Sequence, residues 1–510
     1  MSLFKPADRH YAEAIEHLAY SNPFLPERIQ HEKDALGDEF VEEDANWNLR
    51  IDSGGMHPNI RRLVERAGTI CAELRDRLAG SIHVGKTELV LYEDLLLFYL
   101  YHKYLELMGE VVMRPADEER SPVRFHAEFA RDFEHFLCIP GRQFPVAWEP
   151  AHLFACFFQV RRAFHHTFSN IIGASPSVMR LRAAVWQSIF TYDMRRYRRC
   201  LFDRMGDIAC LITGPSGTGK ELVARAVGLS RYIPFDAQTR SFTEESSGSF
   251  HALNLSALSP TLIESELFGH KRGAFTGALA DRIGWLEACR PLGTVFLDEI
   301  GELDAGIQVK LLRVLQSRTF QRLGESKPCT FVGKIIAATN RDLAQAMQTG
   351  RFREDFYYRL CSDIIVTPSL HEQLAEDPDQ LPHLVSHLAR RIVGEEADSL
   401  ARDVVAWIEK NLGRDYAWPG NVRELEQCVR NVLIRGQYRP QQSPKKSASP
   451  VIDKMMAGRL TADELLDAYC LLVYFQTGSY LEAARKLRLD RRTVKTRVEN
   501  AARRAAEEAP

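Results

Sequence analysis

The sequence predicts a multidomain chain: an α-helical N-terminal part, a P-loop α/β domain built on a parallel sheet with helices behind it, and a C-terminal helix-turn-helix. Three observations predict it. A glycine-rich run, Gly214-Pro-Ser-Gly-Thr-Gly-Lys220, stands between an apolar run and a helical pattern. A second apolar run, Val295-Phe-Leu, ends in two carboxylates, Asp298 and Glu299. Near the C-terminus a short helical pattern is followed by a turn and a strongly basic helix.

At 510 residues the chain is too long for one core, and a length prior gives roughly three domains. With 45% hydrophobic and 26% charged residues it reads as an ordinary globular chain. A net charge of -2 neither favours nor excludes a nucleic-acid partner, so the placement of charge decides. The ten cysteines contain no C-x-x-C pair, which argues against a zinc knuckle or a disulfide framework and for reduced thiols in a cytoplasmic protein. Met1–His10 has no signal-peptide core, and Leu89–Leu107 is broken by Glu93, Asp94, His102, Lys103 and Glu106. A membrane helix needs about 20 apolar residues, so no membrane partner is expected.

In residues 1–165, Ile60, Leu63, Val64, Ala67, Ile70, Leu74 and Leu78 recur at helical spacing after Asn59, which is read as the N-cap. A second helix is expected from Glu93 towards Met108. The aromatics between Phe125 and Phe168 read as core, with a ligand-lined pocket as the alternative. In residues 166–370, Ala209–Thr213, Thr294–Leu297 and Val332–Ala338 read as buried parallel strands. Residues 371–435 are helical in pattern, 436–454 are a polar, proline-bearing linker, and 455–510 form the small terminal domain.

The chemistry follows from residue types. Glycines let successive backbone N–H groups turn inward around phosphates, and Lys220 supplies a point charge between the outer two. Glu221 stands where a hydroxyl would usually reach a metal, so Mg²⁺ is expected to lean on Asp298, with Glu299 polarising the attacking water. ATP and Mg²⁺ are the cofactors this predicts.

From Asn170 to Arg430, about half of the chain, the sequence resembles the AAA+ domain of sigma-54-dependent transcription activators, the bacterial enhancer-binding proteins. The resemblance implies that Gly214, Pro215, Ser216, Gly217, Thr218, Gly219, Lys220 and Glu221 hold the nucleotide. Glu after the lysine is a family trait, whereas Pro215 replaces the usual Glu. It implies that Gly273, Ala274, Phe275, Thr276, Gly277 and Ala278 tip a loop that engages sigma-54, with Phe275 as a solvent-exposed apolar knob. By the same resemblance Asn254 restrains Glu299, Asn340 reads the γ-phosphate, and Arg353 and Arg359 reach into a neighbouring subunit. Arg423 contacts nucleotide from a helical lid (residues 371–435), and Asn421 caps its helix. Fingers acting in trans imply a ring of six or seven copies, dimeric when inactive. The segments Arg195–Asp207 and Pro234–Ser249 are longer than usual, and the second reads as a surface loop.

At the C-terminus, Thr477–Leu487, Arg488–Asp490 and Arg491–Asn500 read as helix, turn and helix, with Asp490 as N-cap and Val494 and Val498 facing inward. Arg491, Arg492, Thr493, Lys495 and Arg497 are the expected DNA-contacting residues. The module resembles the Fis-type helix-turn-helix, which implies a dimer interface on Ala462–Phe475. Together these readings imply an activator that hydrolyses ATP to remodel sigma-54 RNA polymerase while bound to upstream DNA. The alternative is a DNA-binding regulator whose ATPase is not coupled to sigma-54. Residues 1–165 lack the strand-helix alternation of a phosphoacceptor receiver and are expected to be a helical sensor for a ligand or a protein.

Overall fold

The computed structural model describes residues 2–42, 56–80, 83–115, 117–245, 250–440 and 460–507. The chain divides into two compact units, Met1–Gln437 and Tyr438–Pro510. Residues 441–454 of the expected linker lie outside the described residues.

Among the described residues the first unit holds nine strands: β1 Cys210–Thr213, β2 Phe235–Asp236, β3 Ser241–Phe242, β4 Phe250–Asn254, β5 Thr294–Asp298, β6 Thr319–Gln321, β7 Pro328–Thr330, β8 Lys334–Thr339 and β9 Asp363–Val366. Five of them form one parallel sheet in the order β4-β5-β8-β1-β9. Ile212, Phe296, Ile336 and Ala338 are buried against the helices Pro176–Phe190 and Lys220–Gly228. Leu211, Leu297, Ile335 and Ala337 are buried in a second core cluster with the helix Ala305–Ser317. Burial on both faces is why these strands read as near-continuous apolar runs. Hydrogen-bonding side chains fix the helix starts: Asp304 accepts from the Ile307 N–H at 3.0 Å, and Ser369 and Glu372 form a reciprocal capping box.

The N-terminal part is helical, as expected: Pro6–Tyr20, Glu27–Leu36, Pro58–Ala79, Lys86–Lys103, Leu105–Val112, His126–Leu137 and Pro150–Asn170. Asn59 is not the cap. His57 occupies that position and its Nδ1 accepts from the Asn59 N–H, while the buried Asn59 amide bonds Val41 N and O at 2.9 Å. The second expected helix begins earlier, at Lys86, and breaks at Tyr104, so that Leu105–Val112 is separate.

The boundary expected at residue 165 falls inside the continuous helix Pro150–Asn170. Pro234–Ser249 is not merely a surface loop: β2 and β3 pair as an antiparallel hairpin. Phe235 packs on Phe154 with ring centroids 4.8 Å apart, Phe242 stacks on Phe158 at 3.9 Å, and the Val123 N–H donates to the Arg240 carbonyl at 2.7 Å. The other long segment, Arg195–Asp207, docks on the helices Pro6–Tyr20 and Lys86–Lys103. Arg195 pairs with Asp94 at 2.5 Å and Glu16 at 2.6 Å, and the Arg198 guanidinium reaches the Tyr20 hydroxyl at 2.5 Å. Both departures from usual length are thus places where the sheet domain grips the N-terminal helices.

Residues 371–435 supply the helices Gln380–Val393, Ala397–Asn411 and Asn421–Arg435, preceded by Leu370–Glu376. The second unit holds Ala462–Thr477, Tyr480–Leu487 and Arg491–Glu507 around Cys470, Val473, Ala483, Ala484, Val494 and Val498. Among the described residues no helix is long and apolar enough to cross a membrane.

Candidate nucleotide site and its loop

β1, β5 and β8 deliver the site to one end of the sheet. Thr213 lies opposite Thr339, and Leu297 opposite Ala337, so the P-loop, Asp298-Glu299 and Asn340 leave the sheet together. In an open parallel sheet this is the edge where ligands bind.

Gly214, Gly217 and Gly219 all have positive φ, at 147°, 80° and 86°. Two of them are also held by space. A Cβ on Gly214 would meet Thr367 Oγ1 at 2.1 Å, and one on Gly217 would meet the Gly420 carbonyl oxygen at 2.3 Å. Lys220 Nζ donates to the carbonyls of Gly214 and Pro215 at 3.1 and 3.2 Å. The lid closes on the loop from the other side. The Val422 N–H donates to the Gly217 carbonyl at 3.1 Å, Asn421 Nδ2 to the Ser216 carbonyl at 2.9 Å, and Arg423 Nη1 to Ser216 Oγ at 3.3 Å. Asn421 therefore does not cap its own helix, because its Oδ1 holds the Leu370 N–H at 2.8 Å while Glu424 bonds the Gly420 N–H. Thr367, which the sequence reading missed, accepts or donates at 2.7 Å with Thr218 Oγ1 and ties β9 to the loop. Only the closeness of Gly214 to β9 reveals it, and no spacing rule encodes that.

Burial pulls the Lys220 ammonium below the usual lysine range against the attraction of Glu299 and Asp298. It lifts the Asp298 carboxyl above the usual range against the Glu299 N–H and Lys220. Both shifts show that desolvation outweighs pairing here, so a charged polyphosphate with its counter-ion would complete the electrostatics. The donor set fits that group: a glycine cradle, a buried lysine and a half-buried carboxylate. Glu221 lies beside the site but pairs with Arg225 at 2.8 Å.

Glu299 sits in the left-handed region at φ 57°, and its Oε2 accepts from the Asn340 N–H at 3.4 Å. Asn254 does not hold Glu299. Its Oδ1 accepts from Ser256 N–H and Oγ at 3.0 and 2.8 Å, capping the turn after β4, although its strand position lies opposite Asp298. Arg353 is engaged by Asp355 through two bonds of 2.8 and 3.0 Å, whereas the exposed Arg359 side chain has no ion-pair partner among the described residues.

The Gly273–Ala278 loop rises between the helix Pro260–Phe268 and the short helix Trp285–Ala288. His270 and Arg282 exchange backbone bonds of 3.0 and 2.8 Å, Lys271 pairs with Asp281 at 2.8 Å, and the Gly273 N–H donates to the Ala278 carbonyl. Phe275 is half-buried, with its ring 5.0 Å from that of His270, rather than the exposed knob expected. Leu279, 86% exposed, and Ile283 carry the apolar surface instead, while Thr276 is exposed.

In the second unit Asp490 Oδ1 accepts from the Arg492 N–H at 2.7 Å, and Arg491, Arg492, Thr493 and Lys495 are exposed. Arg497 is not with them. It pairs with Asp463 and the buried Asp467 at 2.8 and 2.9 Å and is a structural arginine of this unit.

Residues 195–365 match the family model described as the Sigma-54 interaction domain. The sigma54-dependent transcriptional activator SfnR of Pseudomonas putida is 43% identical over 230 residues, 45% of this chain and 57% of that protein. The Nif-specific regulatory protein of Herbaspirillum seropedicae is 38% identical over 275 residues, 53% of this chain and 44% of that protein. ZraR of Salmonella typhimurium is 38% identical over 297 residues, 56% and 62% of the two chains. The chain spans about half the length of the curated relatives it matches. NtrX from Brucella abortus in complex with ATP overlaps 69% of this chain and 76% of that chain at 21% identity, with a TM-score of 0.40, too loose for a residue-level comparison. Residues 195–365, with the phosphate loop, the acidic strand end and the Gly273–Ala278 loop in order, match a Sigma-54 interaction domain, and over that region the chain is similar to sigma54-dependent transcriptional activators and to NtrC of Rhizobium meliloti.

Proposed function

We propose that the chain hydrolyses ATP in an oligomeric ring to remodel sigma-54 RNA polymerase, while its C-terminal unit binds DNA upstream. The observation that carries the reading is the placement of the Gly273–Ala278 loop between β4 and β5, the strand that ends in Asp298. The P-loop amides and Lys220 bind the phosphates, and Arg423 approaches from the lid. Asp298 is the residue to hold Mg²⁺, which when bound neutralises charge on the phosphate oxygens. Glu299, anchored by the Asn340 N–H, accepts a hydrogen bond from the attacking water and orients it. Arg359, exposed and without an ion-pair partner among the described residues, is the better finger for a neighbour's site. Arg353 joins it only by leaving Asp355, and a ring of six or seven copies supplies the neighbour.

Arg491, Arg492, Thr493 and Lys495 form the candidate DNA surface, and the exposed Tyr469, Leu472 and Phe475 on Ala462–Thr477 favour pairing of two such units. The N-terminal helices act as a sensor for a ligand or protein. Purified chain should hydrolyse ATP and bind sigma-54 in the presence of ADP with aluminium fluoride. Thr276→Ala should keep hydrolysis and lose both sigma-54 binding and transcription. Hydrolysis without sigma-54 binding in the wild type would instead support a DNA-binding regulator whose ATPase is uncoupled from sigma-54.

A further inference from the structure

An unassigned feature of the first unit is a chamber of ≈ 750 Å³ between the helices Lys86–Lys103, Leu105–Val112, Pro150–Asn170 and Pro176–Phe190. That volume suits a small organic ligand. Its wall is largely apolar, with Phe98, Tyr101, Phe157, Val160, Phe164 and Trp186 on it.

Most charged groups that line it hold at least one charged or hydroxyl partner, although the Arg198 Nε is buried without a hydrogen bond of its own. Asp94 is held by Arg195 and Tyr20, Arg198 by Tyr20, and Arg28 by Glu32. His102 donates Nδ1–H to the Phe98 carbonyl at 2.9 Å, and burial pulls its pKa down to about 4, which keeps it neutral.

Arg161 differs. Its guanidinium lies over Gly109, where a Cβ would approach Nη2 at 3.0 Å and Nε at 3.1 Å, so a glycine inside the helix Leu105–Val112 makes the seat. Its Nε is buried without a hydrogen-bond partner. Among the described residues no carboxylate pairs with it, although Glu106 and Glu110 line the exposed rim of the chamber. Arg161 is half-buried, with its Nε out of reach of solvent, and a cation that faces an apolar wall without a carboxylate partner favours an anion there.

We propose that this chamber binds an organic monoanion with an apolar body, its carboxylate on Arg161 and its chain or ring against the aromatic wall. The inference extends the sensor part of the reading above and names its site. The binding step itself requires neither ATP nor sigma-54. Trp186 gives occupancy a direct neighbour in the motor, since it shares a core with Val223 and Val227 of the P-loop helix.

The test uses the full chain with 4-phenylbutyrate and decanoate as probes and 4-phenylbutanol as the uncharged counterpart, read by thermal shift and tryptophan emission. At least one acid should raise the Tm saturably and change the emission at up to about 10 mM, with the alcohol about tenfold weaker. Arg161→Gln should weaken the acid about tenfold while keeping its ligand-free Tm. Val160→Trp, which fills the chamber, should lose the response, and Trp186→Phe should lose the emission change but keep the thermal shift. If neither acid shifts the wild type, if the alcohol binds as well as the acids, or if Arg161→Gln or Val160→Trp responds like the wild type, the proposal is overturned. Because no arm contains sigma-54, that failure is separable from failure of the transcriptional reading.

Discussion

Asn254 and Asp298 lie opposite one another on neighbouring parallel strands, and the chain that joins them is the one that carries Gly273–Ala278. The connection leaves β4 at Asn254, beside the nucleotide end of the sheet, and re-enters at Thr294, opposite Phe250 at the far end, so its first root is the one that adjoins the site. Its stem is stiffened by the His270–Arg282 backbone bonds and the Lys271–Asp281 pair, so a shift at either root would move it as a body rather than fray it.

Glu299→Gln removes the anionic acceptor and leaves the cradle untouched. Turnover should fall by about 10²–10⁴-fold while ATP affinity stays unchanged, as measured by steady-state hydrolysis beside a fluorescent-nucleotide titration. Equal losses in both would remove Glu299 from the hydrolytic role.

Gly217→Ala forces a Cβ into the Gly420 carbonyl at 2.3 Å and a side chain into φ 80°. The strain is worth about 1–3 kcal/mol, and it falls on the lid contact as well as the loop. Both a lower Tm and weaker nucleotide binding should result. Gly350→Ala, equally left-handed at φ 69° but with open space around it, should lower the Tm alone.

The nucleotide edge was legible because it is local. A glycine run after a strand and an acid pair at a strand end carry their chemistry within a few residues, and the register of β1, β5 and β8 brings them together. What escaped is long-range. Thr367 reaches the P-loop through β9, Asn421 bonds two segments outside its own helix, and Arg497 turns back to Asp467. Asn254 and Phe275 depart from the family-based expectation through short local contacts, with Ser256 and His270, that compete with the expected roles. The hairpin Phe235–Phe242 was hidden because its two aromatics are separated by polar residues and find their partners in another part of the chain.

Glu93 is buried in the N-terminal helices, where Trp148 Nε1 donates to it at 2.8 Å and Asp94, Arg195 and Arg198 face it. Burial pushes its pKa up to about 7, against the opposing pull of Trp148 and the two arginines. A carboxyl raised in the folded state gives stability that is present below its unfolded pKa and lost as pH rises through about 7. The unfolding free energy of the wild type should therefore fall from pH 5 to pH 8 relative to Glu93→Gln, by an amount on the order of 2–3 kcal/mol, and its Tm with it. Parallel pH profiles of the two proteins would sink the assignment.

Lys495 and Arg497 should separate in the second unit. Lys495→Gln should leave the Tm unchanged and weaken DNA binding, with the salt dependence reduced by about one phosphate contact. Arg497→Gln should lower the Tm of the second unit, because Asp467 is left buried without its guanidinium partner. Melting curves and DNA titrations at two salt concentrations distinguish the two.

The hairpin rings of Phe235 and Phe242 seated among Phe154 and Phe158 make this regulator hard to dismantle. A fragment cut at residue 165 would break the helix Pro150–Asn170 and leave those aromatics facing water, so its aggregation would say nothing about inhibition or activation. The same seam limits grafting: a chimera that joins one side to a foreign counterpart loses the ring contacts of Phe235 and Phe242 unless both sides are carried across together.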